Sequence, residues 1–436
     1  MIVMKFGGTS VGSPERIKSV VNLINNETPK IVVLSAMSGT TNTLVKIAGL
    51  FYDRKQTEAV AEIDILQNKY EKVAEELFDS NESKNEAAEF IKQRFDLMRG
   101  FALKVFSISD EKTILAQGEL LSTTLTHIYC KEKGIASVLV SALNFMRVDR
   151  TGEPDTYYIR EQINRELNEY PDAKLFITQG FICRNVTGET DNLKRGGSDY
   201  SASLIGQAVN AEEIQIWTDI DGFHNNDPRY VTNTKAIREL SFDEAAELAY
   251  FGAKILHPAS VLPAQVANIP VLLKNTMSPE AQGTIISSQT KGEGIKAIAA
   301  KDDITAIKIK SGRMFMAYGF LRKVFEIFES YQTPIDMITT SEIAVSLTVD
   351  STVHLDRIVA ELKNYGSVEV DRNMTIICIV GNNVMTSKDS ISKVFKALND
   401  VPVRMVSYGG SRHNISILTD SAHKNEALNS LNGYLF

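Results

Sequence analysis

The stretch IVMKFGGTSVGSPERIKSVVNLINNETPKIVVL, residues 2–34, predicts the fold of the larger part of the chain. It opens with a short apolar strand that ends at Gly7 and Gly8, and it closes with a continuously apolar strand at 31–34. Between them, Pro14 stands where a helix would begin, and the apolar residues that follow recur at helical spacing. A strand, a helix and a wholly apolar second strand in this order are typical of a parallel sheet covered by helices.

The composition excludes several classes of protein. The 436 residues include 47 Lys and Arg against 54 Asp and Glu, a net charge of −7, whereas nucleic-acid binding needs a basic surface. No apolar stretch is long enough to cross a membrane, and the first residues do not resemble a signal peptide. The 3 cysteines show no CxxC spacing, which argues against a disulfide framework and a zinc site. We expect a cytoplasmic protein that binds neither nucleic acid nor membrane and holds no metal with its own side chains.

The alternation of strands and helices continues along the chain. Strands are predicted at 137–140, 174–178, 213–218 and 269–273, and helices at 198–209 and 241–256. Residues 41–133 interrupt this pattern with a charged, proline-free region that we interpret as a helical insertion. Gly283 and the polar run 287–293 mark a boundary. The sequence therefore predicts an α/β domain over 1–290, with a mostly parallel sheet flanked by helices.

The last third of the chain contains an internal repeat. The tripeptide KVF occurs at 323–325 and again at 393–395, and VSL at 345–347 resembles ISI at 415–417. The two copies, 304–371 and 372–436, each show the order strand, helix, strand, strand, helix. The first copy has a sixth strand, whereas the second ends before one. An open sheet edge is a liability, so we expect the apolar run 295–300 to complete the second copy.

Three glycine-rich or hydroxyl-rich segments follow predicted strands, where parallel sheets bind ligands. In the first, Lys5 supplies a positive charge and the Gly7–Gly8 turn supplies backbone N–H groups, a combination that suits a phosphate. The second, residues 35–41, contains more hydroxyl groups than one helix cap needs. In the third, Arg195 suits a carboxylate, and Asp199 could orient Lys5 or a metal-bound phosphate. A tight turn or a helix cap remains an alternative for any one of these segments.

Two later segments carry further candidate residues. Thr218 and Asp219 end a strand before a turn, where Asp219 suits the polar groups of a nucleotide and Arg229 a phosphate. An ordinary Asp-Gly turn is the alternative. Lys254 is a second lysine near an apolar helix end. The patterns GxxxxGK[ST], GxGxxG and HRD are absent, so phosphoryl transfer here would need another architecture.

Together these segments resemble the motifs of the aspartokinases, within the amino-acid kinase superfamily. The matching stretches are KFGGTS at 5–10, LSAMSGTTN at 34–42, QGE at 117–119, TQGF at 178–181, RGGSDYSA at 195–202, WTDIDG at 217–222, NDPR at 226–229 and FGAKILHP at 251–258. The repeat region resembles paired, ferredoxin-like βαββαβ ACT domains. The tract ITTSE at 338–342 resembles the effector-binding stretch of the lysine-sensitive aspartokinases. No homoserine dehydrogenase segment follows, so the resemblance is to the monofunctional type.

The resemblance implies transfer of the ATP γ-phosphoryl group to the β-carboxylate of L-aspartate, the first step of lysine, threonine and methionine biosynthesis. It implies catalytic roles for Lys5, Asp199 and Lys254; aspartate contacts from Ser35, Thr41, Glu119, Phe181, Arg195 and Ser198; and ATP contacts from Lys5, Gly7, Gly8, Thr218, Asp219, Arg229 and Lys254. Mg²⁺ is expected on the phosphates without a dedicated protein cage. The family often has a tyrosine where this chain has His224, so a stacking role is not expected there.

The resemblance also implies feedback inhibition by lysine through the ACT domains, and assembly into a homodimer or homotetramer. The implied effector residues are Met314, Gly319, Leu321, Asp336, Thr340, Ser341 and Glu342. Asp336 and Glu342 would receive the two amines of lysine, and the backbone that opens the helix after Gly319 would receive its carboxylate. A solvated loop position is the structural alternative for Glu342.

Two other functions remain open on the sequence alone. One is a related kinase that acts on glutamate, acetylglutamate or carbamate, which Glu119 and the long helical insertion disfavour. The other is a non-catalytic amino-acid sensor with a vestigial kinase domain. The presence of Lys5, Arg195, Asp199 and Lys254 argues against that sensor.

Overall fold

The computed structural model describes residues 1–193, 196–252, 256–290, 294–312 and 318–436. Contacts between residues divide the chain into two units, each with its own sheet. The first unit comprises Met1–Gly222, Arg238–Phe242 and Leu256–Gln289. The second comprises Phe223–Ile237, Asp243–Ile255 and Thr290–Phe436.

The first unit is an α/β structure around an eight-stranded sheet. Its strands are β1 (Ile2–Phe6), β2 (Lys30–Leu34), β3 (Val138–Leu139), β4 (Leu175–Gln179), β5 (Ile182–Arg184), β6 (Thr190–Asn192), β7 (Ile214–Thr218), β8 (Glu239–Ser241), β9 (Val271–Asn275) and β10 (Thr284–Ser287). Among the described residues the sheet order is β3-β4-β2-β1-β7-β9-β10-β8, and β9–β10 is its only antiparallel pair. Strands β5 and β6 form a separate hairpin.

Helices cover this sheet and form the insertion. They are α1 (Pro14–Ile24), α2 (Thr40–Tyr52), α3 (Gln56–Leu77), α4 (Asn81–Gly100), α5 (Ile108–Glu132), α6 (Ala142–Phe145), α7 (Thr156–Asn168), α8 (Gly197–Ala208) and α10 (Leu262–Val266). Helix α9 (Phe242–Tyr250) is not one of them, because all of it except Phe242 belongs to the second unit. Strand β2 is buried along its whole length, which explains the continuous apolar run at 31–34. Helix α1 begins as expected, with Ser13 as its N-cap and Pro14 in its first turn.

The strand register brings several loops to one edge of the sheet. Phe6, the last residue of β1, pairs with Leu34 of β2 on one side and with Trp217 of β7 on the other. Leu34 in turn pairs with Gln179 at the end of β4. Because these strands are parallel, the segments that follow them start side by side at the carboxyl edge, where such sheets bind ligands.

The second unit is built on a six-stranded antiparallel sheet. Its elements are β11 (Gly294–Lys310), α11 (Phe320–Ser330), β12 (Ile338–Thr340), β13 (Ala344–Val349), α12 (Leu355–Leu362), β14 (Ser367–Asn382), α13 (Ser390–Ala397), β15 (Met405–Tyr408), β16 (Asn414–Asp420) and α14 (Lys424–Leu435). Within the described ranges the order is β12-β13-β11-β14-β16-β15. The start of β11 pairs with the end of β14, including Ile298 with Ile379, and its end pairs with the start of β14.

The structure places three predicted boundaries relative to its strands and helices. The expected division between repeats at 371/372 lies inside β14, and position 304 lies inside β11, because both strands run through the two copies. The helix expected over 241–256 ends at Tyr250. Gly252 has a φ of +124°, and a Cβ there would lie 2.1 Å from the carbonyl oxygen of Ala300, so the close approach of β11 explains the break.

None of the described helices is both long enough and apolar enough to cross a membrane.

Candidate active site

An ion pair between Lys5 and Asp199 stands at the carboxyl edge of the first sheet. Lys5 Nζ lies 2.6 Å from Asp199 Oδ1, and the two side chains are only 11% and 17% exposed. Lys5 is the penultimate residue of β1, and Asp199 lies in the first turn of α8. The structure therefore brings together the lysine and the aspartate that the sequence analysis paired, in a place where solvent screens their charges little.

The glycine turn after β1 packs closely against the loop after β2. A Cβ on Gly8 would lie 2.8 Å from the carbonyl oxygen of Ala36, and the N–H of Ser38 donates to the carbonyl oxygen of Gly8 at 3.1 Å. Only glycine fits such a close approach. The N–H of Gly7 donates to the carbonyl oxygen of Trp217 at 3.2 Å. The expectation that Gly7 offers its N–H to a phosphate is therefore wrong in this structure, because the neighbouring strand β7 already accepts it.

Glu119 is a buried carboxylate with one oxygen unused. It lies on α5, is 4% exposed, and accepts a hydrogen bond on Oε1 from the N–H of Ala36 at 3.1 Å. Its Oε2 has no hydrogen-bond partner among the described residues. Burial raises the pKa of Glu119 to about 7, against the smaller opposing effects of the Ala36 N–H and the Lys5 charge. A buried acceptor without a donor is costly, so this oxygen is ready to receive a ligand cation.

Helix α5 also holds the loop that contains Ser35. The hydroxyl of Ser122 donates to the carbonyl oxygen of Ser35 at 2.8 Å. A Cβ on Gly118 would lie 2.7 Å from Cβ of Ala36, so helix and loop are in direct contact. In the next turn, Thr40 is buried and hydrogen-bonded to the hydroxyl of Tyr70 at 3.0 Å, which makes it structural. Thr41, the predicted ligand, is exposed beside it.

Phe181 and Ser198 lie where β4 meets α8. A Cβ on Gly180 would fall 2.3 Å from Cβ of Ser198, so the end of β4 touches the first turn of α8. Phe181 has a φ of +65°, and its N–H donates to the hydroxyl of Ser201 at 2.8 Å. A positive φ at a bulky residue is strained and persists only where the surroundings fix it.

Thr218 and Asp219 follow β7 at the same sheet edge. The hydroxyl of Thr218 donates to Asp219 Oδ1 at 3.1 Å, and the carbonyl oxygen of Thr218 accepts from the N–H of Thr276 at 2.8 Å. Asp219 is exposed. The pair is therefore anchored through its backbone while its polar side chains remain accessible.

The predicted residues Arg229 and His224 belong to the second unit. Arg229 is bound through Nε and Nη2 to the two carboxylate oxygens of Asp227, at 2.9–3.0 and 2.5 Å, and its side chain is 75% exposed. His224 Nδ1 lies 3.1 Å from the hydroxyl of Thr234. Three other predicted residues, Arg195, Lys254 and Met314, lie outside the described residues.

The predicted effector residues occupy one part of the second unit. Gly319 caps α11 with a φ of +82°, and Leu321 in its first turn is 38% exposed. Thr340 and Glu342 are exposed, and the N–H of Ser341 donates to the carbonyl oxygen of Ala344 at 2.8 Å.

Asp336 is the buried member of this group, with a side chain 2% exposed. It pairs with Lys301 and Tyr250, which the sequence analysis missed because nothing in the local sequence around them points to Asp336.

No group of three or more His, Cys, Asp or Glu side chains within the described ranges is arranged to hold a metal ion. The 3 cysteines of the chain are free and buried, and burial raises the pKa of Cys130 to about 11 and that of Cys183 to about 12. They are inert thiols and not candidate nucleophiles.

Comparison with known proteins gives matches over the whole chain. A model of the amino acid kinase family matches residues 1–275, and a model of the ACT domain matches residues 377–434. The lysine-sensitive aspartokinase 3 of Escherichia coli (strain K12) is 33% identical, over 100% of this chain and 99% of its own.

Two solved structures of E. coli aspartokinase III are also similar to this chain. The complex with aspartate and ADP, called the R-state, has 32% identity and a TM-score of 0.83, and 100% of both chains is covered. The complex with lysine and aspartate, called the T-state, has 33% identity and a TM-score of 0.83, over 100% of this chain and 99% of that one.

Proposed function

The chain belongs to the amino acid kinase family and, within it, to the aspartokinases, and we infer that it transfers the γ-phosphoryl group of ATP to the β-carboxylate of L-aspartate. The product is 4-phospho-L-aspartate, and lysine inhibits the enzyme by feedback. The observation that carries the mechanism is the Lys5–Asp199 pair, which stands beside the Gly8 turn at the sheet edge.

The chemistry needs charge neutralisation more than it needs a base. The attacking oxygen belongs to a carboxylate, which is already anionic, so no proton has to be removed from it. Phosphoryl transfer is catalysed mainly by positioning and by stabilising the charge on the phosphate oxygens. We propose that Lys5 binds those oxygens and that Asp199 fixes the direction of its ammonium. In this proposal Lys254 is the second lysine on the phosphates.

Glu119 is the proposed partner of the α-ammonium of aspartate. The free Oε2 supports this role, because a ligand cation would satisfy the one carboxylate oxygen that the described residues leave without a donor. We propose that Arg195 binds a carboxylate of the substrate. Ser35, Thr41, Ser198 and the backbone around Phe181 would receive its other oxygens.

ATP is the phosphoryl donor, and its contacts are assigned here as a proposal. The N–H of Gly8 would donate to a phosphate, in place of that of Gly7. Thr218 and Asp219 would contact the nucleotide, supported by their position after β7 and the accessible carboxylate of Asp219. Arg229 would bind a phosphate with the face of its guanidinium that Asp227 leaves open, since the side chain is 75% exposed.

Mg²⁺ is expected on the phosphates of ATP. It usually keeps several water ligands and binds nucleotide phosphates in kinase sites without an all-protein cage. The donor set described above fits that mode, because its carboxylates, Asp199 and Glu119, contact Lys5 and Ala36. When bound, the ion supplies charge neutralisation on the phosphate oxygens.

Residues 1–290 are proposed as the catalytic domain, and 304–436 with strand 295–300 as two regulatory ACT units joined by β11 and β14. Lysine would bind at Asp336, Glu342 and the start of α11, and the enzyme would assemble as a homodimer or homotetramer through these units. Coupling between effector and assembly follows if lysine binds one arrangement of the subunits better than another. A cytoplasmic location stays a prediction.

A coupled kinase assay tests both the reaction and its regulation. We expect formation of acyl phosphate that depends on ATP and L-aspartate, and an increased aspartate requirement when lysine is added. The assay is repeated with threonine and with both amino acids. Inhibition by threonine with no effect of lysine would contradict the effector assignment, and no turnover with aspartate would contradict the reaction.

A further inference from the structure

The Asp336 carboxylate, proposed above as a lysine-binding group, is already occupied by the chain itself. Its Oδ1 lies 2.7 Å from Lys301 Nζ and accepts a hydrogen bond from the hydroxyl of Tyr250 at 2.8 Å. Its Oδ2 is buried and has no hydrogen-bond partner among the described residues. The carboxylate therefore holds one ammonium and keeps an acceptor free for a second donor.

Lys301 has more than one anionic neighbour. Its Nζ lies 3.0 Å from Asp350 Oδ2 and 4.5 Å from the centre of the Tyr250 ring. Although burial by itself lowers the pKa of Lys301, the hydrogen bonds to Asp336 and Asp350 raise it overall, so the group is a cation at neutral pH. The Asp350 side chain is 40% exposed, whereas that of Asp336 is 2% exposed. Asp350 can therefore keep Lys301 paired if Lys301 leaves Asp336.

An irregularity in β11 positions this lysine. The pairing of β11 with β14 shifts register between Lys301 and Ile304, and Asp303 has a φ of +60°. Such bulges re-aim side chains and are placed at functional positions. The shift directs Lys301 to the segment that contains Asp336, just before β12. This segment is fixed by the hydrogen bond from the N–H of Asp336 to the carbonyl oxygen of Thr348.

We propose that Lys301 is an internal competitor of the effector: its ammonium occupies Asp336 in the lysine-free enzyme, and L-lysine binds by displacing it. The proposal rests on the effector role of Asp336 given above. An incoming ammonium first meets Oδ2, the free oxygen, and then takes over Oδ1 as Lys301 moves to Asp350. No charge is left unpaired at any stage, so the exchange avoids the large free-energy cost of an uncompensated buried charge.

The exchange sets the sensitivity of the enzyme to lysine. A ligand that must displace an internal occupant binds with an apparent affinity reduced by the fraction of molecules in which the site is free. The exchange also involves α9. Tyr250 is the last residue of that helix, and its hydroxyl donates to Asp336 Oδ1, the oxygen that Lys301 contacts. In the sequence, Tyr250 precedes the proposed ATP-binding Lys254 by four positions. Lysine at Asp336 would thus disturb the end of α9 just before that residue.

A purely structural role for Lys301 predicts the opposite result. If the lysine only stabilises the fold of the effector site, its removal leaves Asp336 without its cationic partner, disturbs the site and weakens lysine binding. If it competes, its removal frees the carboxylate and strengthens lysine binding. The direction of the change in affinity therefore separates the two roles.

The experiment is titration calorimetry of the full-length protein with L-lysine. The variants are Lys301→Met, Lys301→Gln and Asp336→Asn, with Lys308→Met as the matched control. Lys308 is on the same strand, and its pair with Glu369, at 3.3 Å, is more exposed than the Lys301–Asp336 pair. We expect lysine to bind about tenfold more tightly to Lys301→Met, since the site is then free in most molecules. The increase is smaller in Lys301→Gln, whose amide can still donate to Asp336, and absent in Lys308→Met.

Thermal melting keeps the test decisive if Lys301→Met is destabilised. A ligand that binds the folded state raises the melting temperature more when it binds more tightly, so at one lysine concentration both Lys301 variants should gain more than the parent. Unchanged or weaker lysine binding in both Lys301 variants, with loss of binding in Asp336→Asn, overturns the competition and leaves the effector site in place. Full lysine binding by Asp336→Asn overturns the effector site itself, and the competition with it.

Discussion

Two lysine–aspartate ion pairs of nearly equal length lie in different surroundings in the two units. Lys5 and Asp199 are 2.6 Å apart at the edge of the parallel sheet, and Lys301 and Asp336 are 2.7 Å apart in the regulatory unit. Among the described residues, Lys5 forms an ion pair with one carboxylate, that of Asp199, beside the Gly7–Gly8 turn. Lys301 faces two carboxylates and an aromatic ring.

The difference shows that the neighbours of an ion pair decide its role. One carboxylate fixes the direction of the Lys5 ammonium and leaves its remaining donors for anionic phosphate oxygens. Two carboxylates neutralise the ammonium of Lys301. This ammonium therefore does not attract a further anion. In the second pair the free group is instead an oxygen of Asp336, which suits a cation. This difference agrees with the proposed roles, in which the first pair meets a phosphate and the second an amine.

Removal of the first cation is expected to have the largest effect. Lys5→Ala should lower kcat by about 10²–10³-fold, the loss typical for one group that stabilises transition-state charge. The coupled kinase assay measures it, with circular dichroism to verify folding. Lys46→Ala is the control, because Lys46 forms a more exposed pair with Glu62 in the same unit. Near-normal turnover in folded Lys5→Ala would show that the first pair is structural.

The glycine turn offers the next test. Gly8→Ala places a Cβ 2.8 Å from the carbonyl oxygen of Ala36, so the turn or the loop after β2 must move. Displacement of catalytic groups by about 1 Å costs roughly 10²-fold in rate. Gly49→Ala is the matched control, since that position on α2 has no neighbour within 4 Å of the added Cβ. Equal activity of the two variants would contradict the role of the turn.

Glu119→Gln should weaken aspartate binding by about 10- to 100-fold, as expected for loss of a charged hydrogen bond in a buried site. The change is expected in KM for aspartate and not in KM for ATP, and steady-state kinetics separates the two. Glu111→Gln, on the exposed face of the same helix, is the control. A larger effect on ATP than on aspartate would move Glu119 to the nucleotide side of the site.

A pH effect is the smallest expected change and concerns the same residue. Burial raises the pKa of Glu119 to about 7, so below pH 7 the free enzyme holds a proton there, and the α-ammonium of aspartate requires the ionised form. Aspartate binding should therefore release a proton near pH 7, and affinity should fall by up to about tenfold per pH unit below it. Calorimetry in buffers of different ionisation enthalpy measures the proton. The same release in Glu119→Gln would assign the proton to another group.

The sequence predicted those parts of the fold that depend on local pattern. The apolar runs of β1 and β2, the Pro14 helix start and the Lys5–Gly8 turn follow from neighbouring residues, and the predicted α/β class is confirmed. The candidate site residues were identified largely through the motif resemblance. The individual roles of these residues remain predictions.

What the sequence could not predict depends on contacts between distant segments. The N–H of Gly7 is taken by Trp217 only because β7 lies next to β1. The helix α9 ends early because β11 approaches Gly252. Residues 302–303 have the polarity of a turn, yet they form a bulge inside one long strand. Lys301 could not be assigned for the same reason, since its partners come from separate elements.

The two strands shared by the repeats also fix the order in which this part of the chain can fold. Gly294 of β11 pairs with Asn382, and Ile376 of β14 pairs with Leu418, near the end of the chain. During synthesis, the sheet cannot be completed until β16 has been made, and pairings between such distant residues form slowly. A chain cut at 371 would leave the start of β11 as an unpaired apolar edge, which promotes aggregation. The two copies of the repeat therefore cannot fold separately, because each needs a part of both long strands.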